Sequence, residues 1–211
     1  MADDDLIIRN GRIVTPAGIV DGDLSVRAGR IVGVGMAPAT GAREVEAAGR
    51  WVMPGGVDPH AHIEQVSGMG LWNADTFETA TRSAAMGGTT SVISFAAQAS
   101  GEALQDTLAA YAARARRGAA IDHAFHLTVT DTSVPAFEED LVRLTEAGHR
   151  SIKVFTTYNI RLSDAEILRV MALARDSGAL VCVHAENDAI IARARADLLA
   201  AGRTAPRDHA A

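Results

Sequence analysis

Several residue types and patterns are scarce in this 211-residue sequence, and each scarcity narrows the range of possible functions. A single cysteine, Cys182, excludes an internal disulfide and suits a reducing compartment. No stretch gathers basic residues on one face, and the net charge is −6, which argues against a nucleic-acid partner. No run approaches the roughly 18 apolar residues of a membrane span, and the start is acidic where a secretory signal is basic. The sequence therefore predicts a cytoplasmic protein with neither a nucleic-acid nor a membrane partner.

Lysine is also scarce, since Lys153 is the only lysine among 20 basic residues. The Ala-, Gly- and Arg-rich composition indicates a GC-rich coding bias, under which a generic positive charge is encoded as arginine. A guanidinium stays protonated, whereas an amine can lose its proton and act as a nucleophile, for example toward carbon dioxide. Lys153 is therefore a candidate for chemistry that arginine cannot perform, with chance as the alternative.

Two patterns of secondary structure divide the chain near Trp51. Residues 1–51 contain short strand segments separated by turn signals such as Asn10-Gly11, which indicates β-hairpins in a small layer that needs partner strands. Residues 52–211 contain five strands that alternate with helices, which indicates a parallel sheet with helical crossovers. The predicted strands of this second part are 52–58, 89–95, 122–128, 151–155 and 179–184, and the helices lie near 76–86, 102–117, 136–147, 163–177 and 189–201.

This alternation fits either an open doubly wound sheet or a (β/α)8 barrel. A complete barrel needs about 250 residues, so in the second case the chain would form only the front part of one. Neither a G-x-G-x-x-G motif nor a P-loop follows the first strand, and a nucleotide site is therefore unsupported.

The most specific local motif is Asp58-Pro59-His60-Ala61-His62, at the end of the first predicted parallel strand. Residues i and i+2 of a strand point the same way, so two neutral imidazoles, from His60 and His62, can hold one divalent cation. The alternative is that both histidines lie at a loop and bond to water or backbone.

Lys153 and His184 support the metal interpretation through their positions. Lys153 lies in the fourth predicted strand and His184 at the carboxyl end of the fifth, where the active sites of β/α barrels assemble. A metal would repel a free ammonium, but a lysine that has captured carbon dioxide presents two oxygens that can bridge two metal ions. An internal salt bridge for Lys153 and simple packing for His184 are the alternatives. Packing, loop bonding or no role is predicted for the other histidines, His123, His126, His149 and His209.

Four segments together resemble the cyclic amidohydrolases, specifically the dihydropyrimidinase and D-hydantoinase branch. They are residues 54–62, 87–90, 151–155 and 183–187, which read PGGVDPHAH, GGTT, SIKVF and VHAEN. Members of this family have a β-sandwich beside a metal-dependent (β/α)8 barrel. The resemblance implies that residues 1–51 form part of the sandwich and that residues 52–211 form the amino-terminal part of an incomplete barrel with about five β-α units.

The resemblance also implies a metal centre with two divalent ions, most often zinc. His60 and His62 would bind the more buried ion, a carbon dioxide-derived carbamate on Lys153 would bridge both ions, and His184 would bind the more exposed one.

The implied reaction is hydrolysis of the cyclic amide of a hydantoin or dihydropyrimidine, which gives an N-carbamoyl amino acid. Tyr158 would donate a hydrogen bond to the developing oxyanion, and Phe155 would lie near the ring substituent. An allantoinase-like activity is an alternative. Dihydroorotase-like members have an arginine for the substrate carboxylate close after the histidine pair, and Ile63-Glu64-Gln65 in its place disfavours acidic rings.

Family members are roughly twice as long and carry a further histidine ligand and an aspartate on later strands. The chain is therefore expected to be the amino-terminal portion of an enzyme, one that forms a homo-oligomer, in this family usually a tetramer. The alternative is a non-catalytic truncated homologue that acts as a binding or assembly partner.

Overall fold

The computed structural model describes residues 5–37, 42–67 and 70–209. These residues divide into two compact units, Met1–Gly55 and Gly56–Ala211. The first four residues of the acidic amino terminus lie outside the described part of the chain.

The first unit is a mixed sheet of five strands built around its first strand. The strands are β1 (Leu6–Thr15), β2 (Gly18–Arg27), β3 (Arg30–Gly35), β4 (Arg43–Glu46) and β5 (Trp51–Val52). β1 pairs antiparallel with β2 and parallel with both β4 and β5, while β3 pairs antiparallel with β2. Alternation along β1 buries Ile7 and Ile13, which are the most deeply buried apolar side chains of this unit.

Two predictions for this region are wrong in detail. The turn predicted at Asn10-Gly11 is instead a register shift within β1. Asn10 adopts the left-handed φ of 54° that such turns use, but its amide donates to the Asp23 carboxylate and the chain continues as a strand. Val52 pairs with β1, so the first strand of the parallel sheet, predicted at 52–58, instead covers Gly56–Ala61.

The second unit consists of five parallel strands, each followed by a helix. The strands are β6 (Gly56–Ala61), β7 (Thr89–Ala97), β8 (Asp122–Thr128), β9 (Ser151–Phe155) and β10 (Leu180–His184). The helices are α1 (Phe77–Met86), α2 (Leu104–Gly118), α3 (Phe137–Glu146), α4 (Asp164–Ser177) and α5 (Asp188–Ala200), and a short 3-10 helix covers Pro206–Asp208.

The strands lie in the sheet in the same order as in the sequence, from β6 at one edge to β10 at the other. A doubly wound sheet reverses its strand order at a switch point, whereas a barrel keeps the sequential order. The second unit is therefore part of a (β/α)8 barrel with five β-α units, and the predicted fold class is confirmed.

One apolar core joins the strands and helices of the second unit. Leu127, Ile152 and Val154 from the strands are at most 1% exposed, as are Phe77 and Val170 from the helices. Strand residues of the opposite parity, including Lys153, lie on the other face of the sheet. The sheet thus buries its apolar face under the helices and presents chemically active side chains on the other. Among the described residues, no helix combines the length and apolar character needed to cross a membrane.

Candidate metal centre

His60 and His62 lie side by side where β6 ends. Their ring centroids are 5.4 Å apart, and each lies 4.7 Å from the ring centroid of Phe95 in β7. His62 Nδ1 donates to Gln65 Oε1 at 2.9 Å, which leaves the Nε2 lone pair of His62 available to a metal ion. Burial, together with the positive potential of His62 and Lys153, lowers the pKa of His60 and favours the neutral imidazole that binds metals.

Lys153 lies in the middle of β9, and its side chain is buried with only 8% of the residue exposed. Its Nζ atom is 5.9 Å from the centroid of the Phe95 ring, which contacts the histidine pair, and 5.1 Å from that of Phe155. The ring of Phe155 in turn stacks on His184 with a centroid distance of 5.4 Å. Lys153 is therefore placed between the histidine pair of β6 and the histidine of β10.

The Lys153 amine has neither a hydrogen bond nor an ion pair within residues 5–37, 42–67 and 70–209. Thr128 of β8 is its neighbour across the sheet, and the Thr128 hydroxyl is buried without a hydrogen-bond partner. A buried amine and a buried hydroxyl without partners are energetically costly, and an anionic group held at Lys153 would satisfy both.

His184 ends β10 and points toward a small polar cluster. Its Nε2 atom contacts the Glu186 carboxylate at 2.5 Å, and the amide of Glu186 is held by Thr156 Oγ1 at 2.9 Å. Because Glu186 occupies Nε2, a metal ion would have to bind His184 through Nδ1 or displace the carboxylate.

Tyr158 lies just beyond β9, with its ring centroid 5.2 Å from that of His184. Its hydroxyl donates to Glu186 Oε2 at 3.5 Å, and the side chain is half exposed. The backbone of Tyr158 has a φ of 67°, a left-handed conformation that is costly outside glycine and that concentrates at functional sites.

Two clefts meet at Tyr158. One, of about 990 Å³, is also lined by Gln98, the first residue after β7, and Thr130, the second residue after β8. The other, of about 910 Å³, is also lined by Glu186 and Arg195. The first cleft lies at the carboxyl ends of β7 and β8, where barrel enzymes bind their substrates, whereas the second lies mainly against α5.

Within the part of the chain that the structure describes, no three side chains of histidine, cysteine, aspartate or glutamate lie close enough together to hold a metal ion by themselves. The imidazoles of His60 and His62 supply two nitrogen donors, a set suited to zinc. Lys153 is a further candidate donor beside this pair.

The comparison with known proteins identifies the family. The model of the amidohydrolase family matches residues 51–203, which is most of the chain. The chain belongs to the amidohydrolase family. A D-hydantoinase of Rhizobium radiobacter is 40% identical to it over 208 residues, which cover 98% of this chain and 45% of the relative. The predicted resemblance to the D-hydantoinase branch is thereby confirmed.

Solved structures of amidohydrolases agree with this assignment. A D-hydantoinase structure superimposes with a TM-score of 0.91 at 40% identity. The match covers 97% of this chain and 45% of the D-hydantoinase chain. A dihydropyrimidinase from Brevibacillus agri has a TM-score of 0.87 at 35% identity, over 95% of this chain and 44% of its own. The chain thus spans about half the length of the relatives it matches.

The sequence predicted only packing or loop bonding for His126, which lies beside the candidate metal centre. His126 of β8 is buried, stacks on Phe95 with a centroid distance of 4.7 Å, and hydrogen-bonds to Pro59 and Ser151. Strand periodicity places His126 on the same sheet face as Lys153. Its hydrogen-bond partners, however, depend on how distant strands pair. The other three histidines lie outside the candidate metal centre. His123 and His209 are exposed, and His149 is half-buried, where desolvation lowers its pKa.

Glu64 has a structural role where dihydroorotase-like members would carry an arginine. Its Oε2 atom accepts from the amide of Phe77 at the start of α1, and its Oε1 atom accepts from Arg117 Nη2 at 2.9 Å. Glu64 thus ties the segment after the histidine pair to two helices.

Proposed function

We propose that the protein is a metal-dependent hydrolase that opens the cyclic amide bond of a hydantoin or dihydropyrimidine to give an N-carbamoyl amino acid. The observation that carries this proposal is the buried, unpaired Lys153 between the histidine pair and His184. The similarity to a D-hydantoinase and a dihydropyrimidinase supports the same reaction.

The ligand set follows from the donors around Lys153. In its neutral form the amine would attack carbon dioxide and release one proton to solvent, which gives a carbamate with two oxygen donors. The carbamate oxygens would be donors to two divalent ions, and the imidazole donors favour zinc. His60 and His62 would hold the first ion, and His184 would hold the second. When bound, the two ions would lower the pKa of a shared water and polarise the ring carbonyl.

The residues of the chain itself would then position the substrate and stabilise charge. The Tyr158 hydroxyl now faces Glu186 and lies beside both clefts, so it can instead donate to an oxygen that becomes negative during attack on the ring amide. Phe155 packs between Lys153 and His184, where its ring would contact the substituent of the substrate.

The charge near the histidine pair favours a neutral ring. Glu64 follows the pair by two residues, and its carboxylate is fixed by the Phe77 amide and Arg117. A ring with a carboxylate substituent would need a cation at this position, and Glu64, whose carboxylate is already paired with Arg117, supplies none. We therefore assign uncharged hydantoins and dihydropyrimidines as the substrate class.

The test is ring opening by the protein as isolated from its own gene, measured as the release of the N-carbamoyl amino acid. We expect hydrolysis of 5-phenylhydantoin or dihydrouracil, loss of that activity after chelation, and its return with zinc. Allantoin and dihydroorotate serve as comparison substrates. Absence of hydrolysis by zinc-loaded, folded protein with both ring types would exclude the proposed reaction.

A further inference from the structure

His126 makes two hydrogen bonds that connect the strands of the candidate metal centre. Its Nε2 atom is 2.8 Å from the Pro59 carbonyl oxygen in β6, and its Nδ1 atom is 2.6 Å from Ser151 Oγ in β9. Because a carbonyl oxygen can only accept, Nε2 carries the proton and donates it. Nδ1 then accepts from the Ser151 hydroxyl, so one neutral tautomer satisfies both partners.

The Pro59 carbonyl lies at an irregularity in the sheet. Asp58 pairs with Val92 and Ala61 pairs with Ser94, so β6 has one residue more than β7 over this stretch. Such a bulge interrupts the backbone ladder and changes the direction of nearby side chains. A carbonyl in this position needs a partner from outside the ladder, and His126 provides it.

Side chains hold both ends of the peptide group that joins Pro59 to His60. The amide of His60 donates to Asp58 Oδ1 at 3.0 Å, and the carbonyl of Pro59 accepts from His126. The plane of this peptide is therefore fixed by two side chains, and the peptide plane sets the direction in which the His60 side chain leaves the backbone.

The second hydrogen bond of His126 extends this control to the strand of the lysine. Ser151 precedes Lys153 by two residues in β9, so both side chains lie on the same face of the sheet. His126 is 7% exposed and stacks on Phe95, which also contacts His60 and His62. The imidazole of His126 thus links β6 and β9 from a rigid position between them.

We propose that His126 is a positioning residue that orients the Pro59–His60 peptide, and with it the histidine pair, relative to Lys153. This inference rests on the proposed metal centre but not on the identity of the substrate. Residues that orient metal ligands affect metal affinity by about 10–100-fold when they are removed. The inference therefore predicts a loss of metal affinity that can be measured without any turnover.

The experiment compares zinc affinity among variants of the complete protein. Chelator-treated protein is titrated with zinc in competition with a metal indicator, and the unfolding temperature of each metal-free variant is recorded in parallel. His126→Phe keeps a ring against Phe95 but removes both hydrogen bonds, and we expect zinc to bind about 10–100-fold more weakly. His126→Gln restores an amide donor at the position of Nε2, and we expect it to recover most of the affinity. His123→Phe makes the same exchange at an exposed position of the same strand and should leave the affinity unchanged.

The outcomes separate this inference from the proposed function. Zinc affinity of His126→Phe equal to that of the unaltered protein would overturn the inference, and so would a His126→Gln variant as weak as His126→Phe. If the unaltered protein binds no zinc, the proposed metal centre fails instead. In that case nitrogen-15 spectra of the metal-free protein still test the hydrogen bonds, because protonation of His126 at Nδ1 rather than Nε2 would contradict the assigned geometry.

Discussion

At the scale of single residues, Lys153 combines burial with the absence of any counter-ion among the described residues. Arginine keeps the positive charge but cannot form a carbamate, because its guanidinium stays protonated. We expect Lys153→Arg to lose bound metal and ring-opening activity together, as measured by metal analysis and product release. Arg150→Lys makes the reverse exchange at an exposed position three residues earlier and should retain both. Activity retained by Lys153→Arg would contradict the carbamate.

Tyr158 offers a second test at the same scale, since it would act on the substrate and not on the metal. Removal of one donor to a developing oxyanion lowers kcat by about 10²–10³-fold. We expect Tyr158→Phe to show a decrease of this size with an unchanged metal content. A Tyr158→Phe variant with normal kcat would remove this residue from the reaction.

The candidate residues could be chosen from the sequence because their types are chemically distinctive. A His-x-His motif and a solitary lysine remain recognisable without coordinates. His126 could not be chosen in this way, since its two hydrogen bonds depend on the bulge before His60 and on the place of Ser151 across the sheet. Such contacts join residues that are 67 and 25 positions apart and leave no local pattern.

At the scale of elements, Asn10-Gly11 shows what local turn chemistry does and does not determine. The dipeptide favours a positive φ, and Asn10 has one. Whether the chain then reverses depends on its partners: the amide of Asn10 donates to Asp23, and its carbonyl accepts from Gly49. These long-range bonds keep β1 continuous, so a positive φ at Asn10 is accommodated within a strand and the predicted turn does not form.

Gln98 connects two of the loops that follow the strands, and its removal should be costly. It is 4% exposed; its Oε1 atom accepts from the amides of Thr130 and Asp131, and its Nε2 atom donates to the carbonyls of Glu102 and Asp131. Buried polar groups left without partners cost about 1–3 kcal/mol. We expect Gln98→Ala to lower the free energy of unfolding by about this amount in urea denaturation. Gln105→Ala, on the exposed surface of α2, should change it far less, and equal effects of both variants would contradict the role of Gln98.

At the scale of the whole molecule, the alternation of strands and helices was sufficient to predict five β-α units. The sequential strand order then distinguished a barrel from a doubly wound sheet, a choice that the pattern alone left open. The same order places β6 and β10 at the two edges of the described parallel sheet. These edges expose apolar side chains, with Val57 of β6 60% exposed and Leu180 of β10 66% exposed.

Open edges of this kind predict how the 211-residue polypeptide behaves when it is produced by itself. Unpaired strand edges with exposed apolar residues recruit further strands, so we expect self-association that increases with concentration in sedimentation velocity. Leu180→Lys places a charge on the β10 edge and should reduce that association, because a lysine on an edge strand opposes pairing. Leu168→Lys is the matched control, since Leu168 is 65% exposed on α4 and the charge change is identical. If both variants reduce association equally, general surface apolarity and not the strand edge causes the association. A polypeptide that stays monomeric at all concentrations would contradict the prediction entirely.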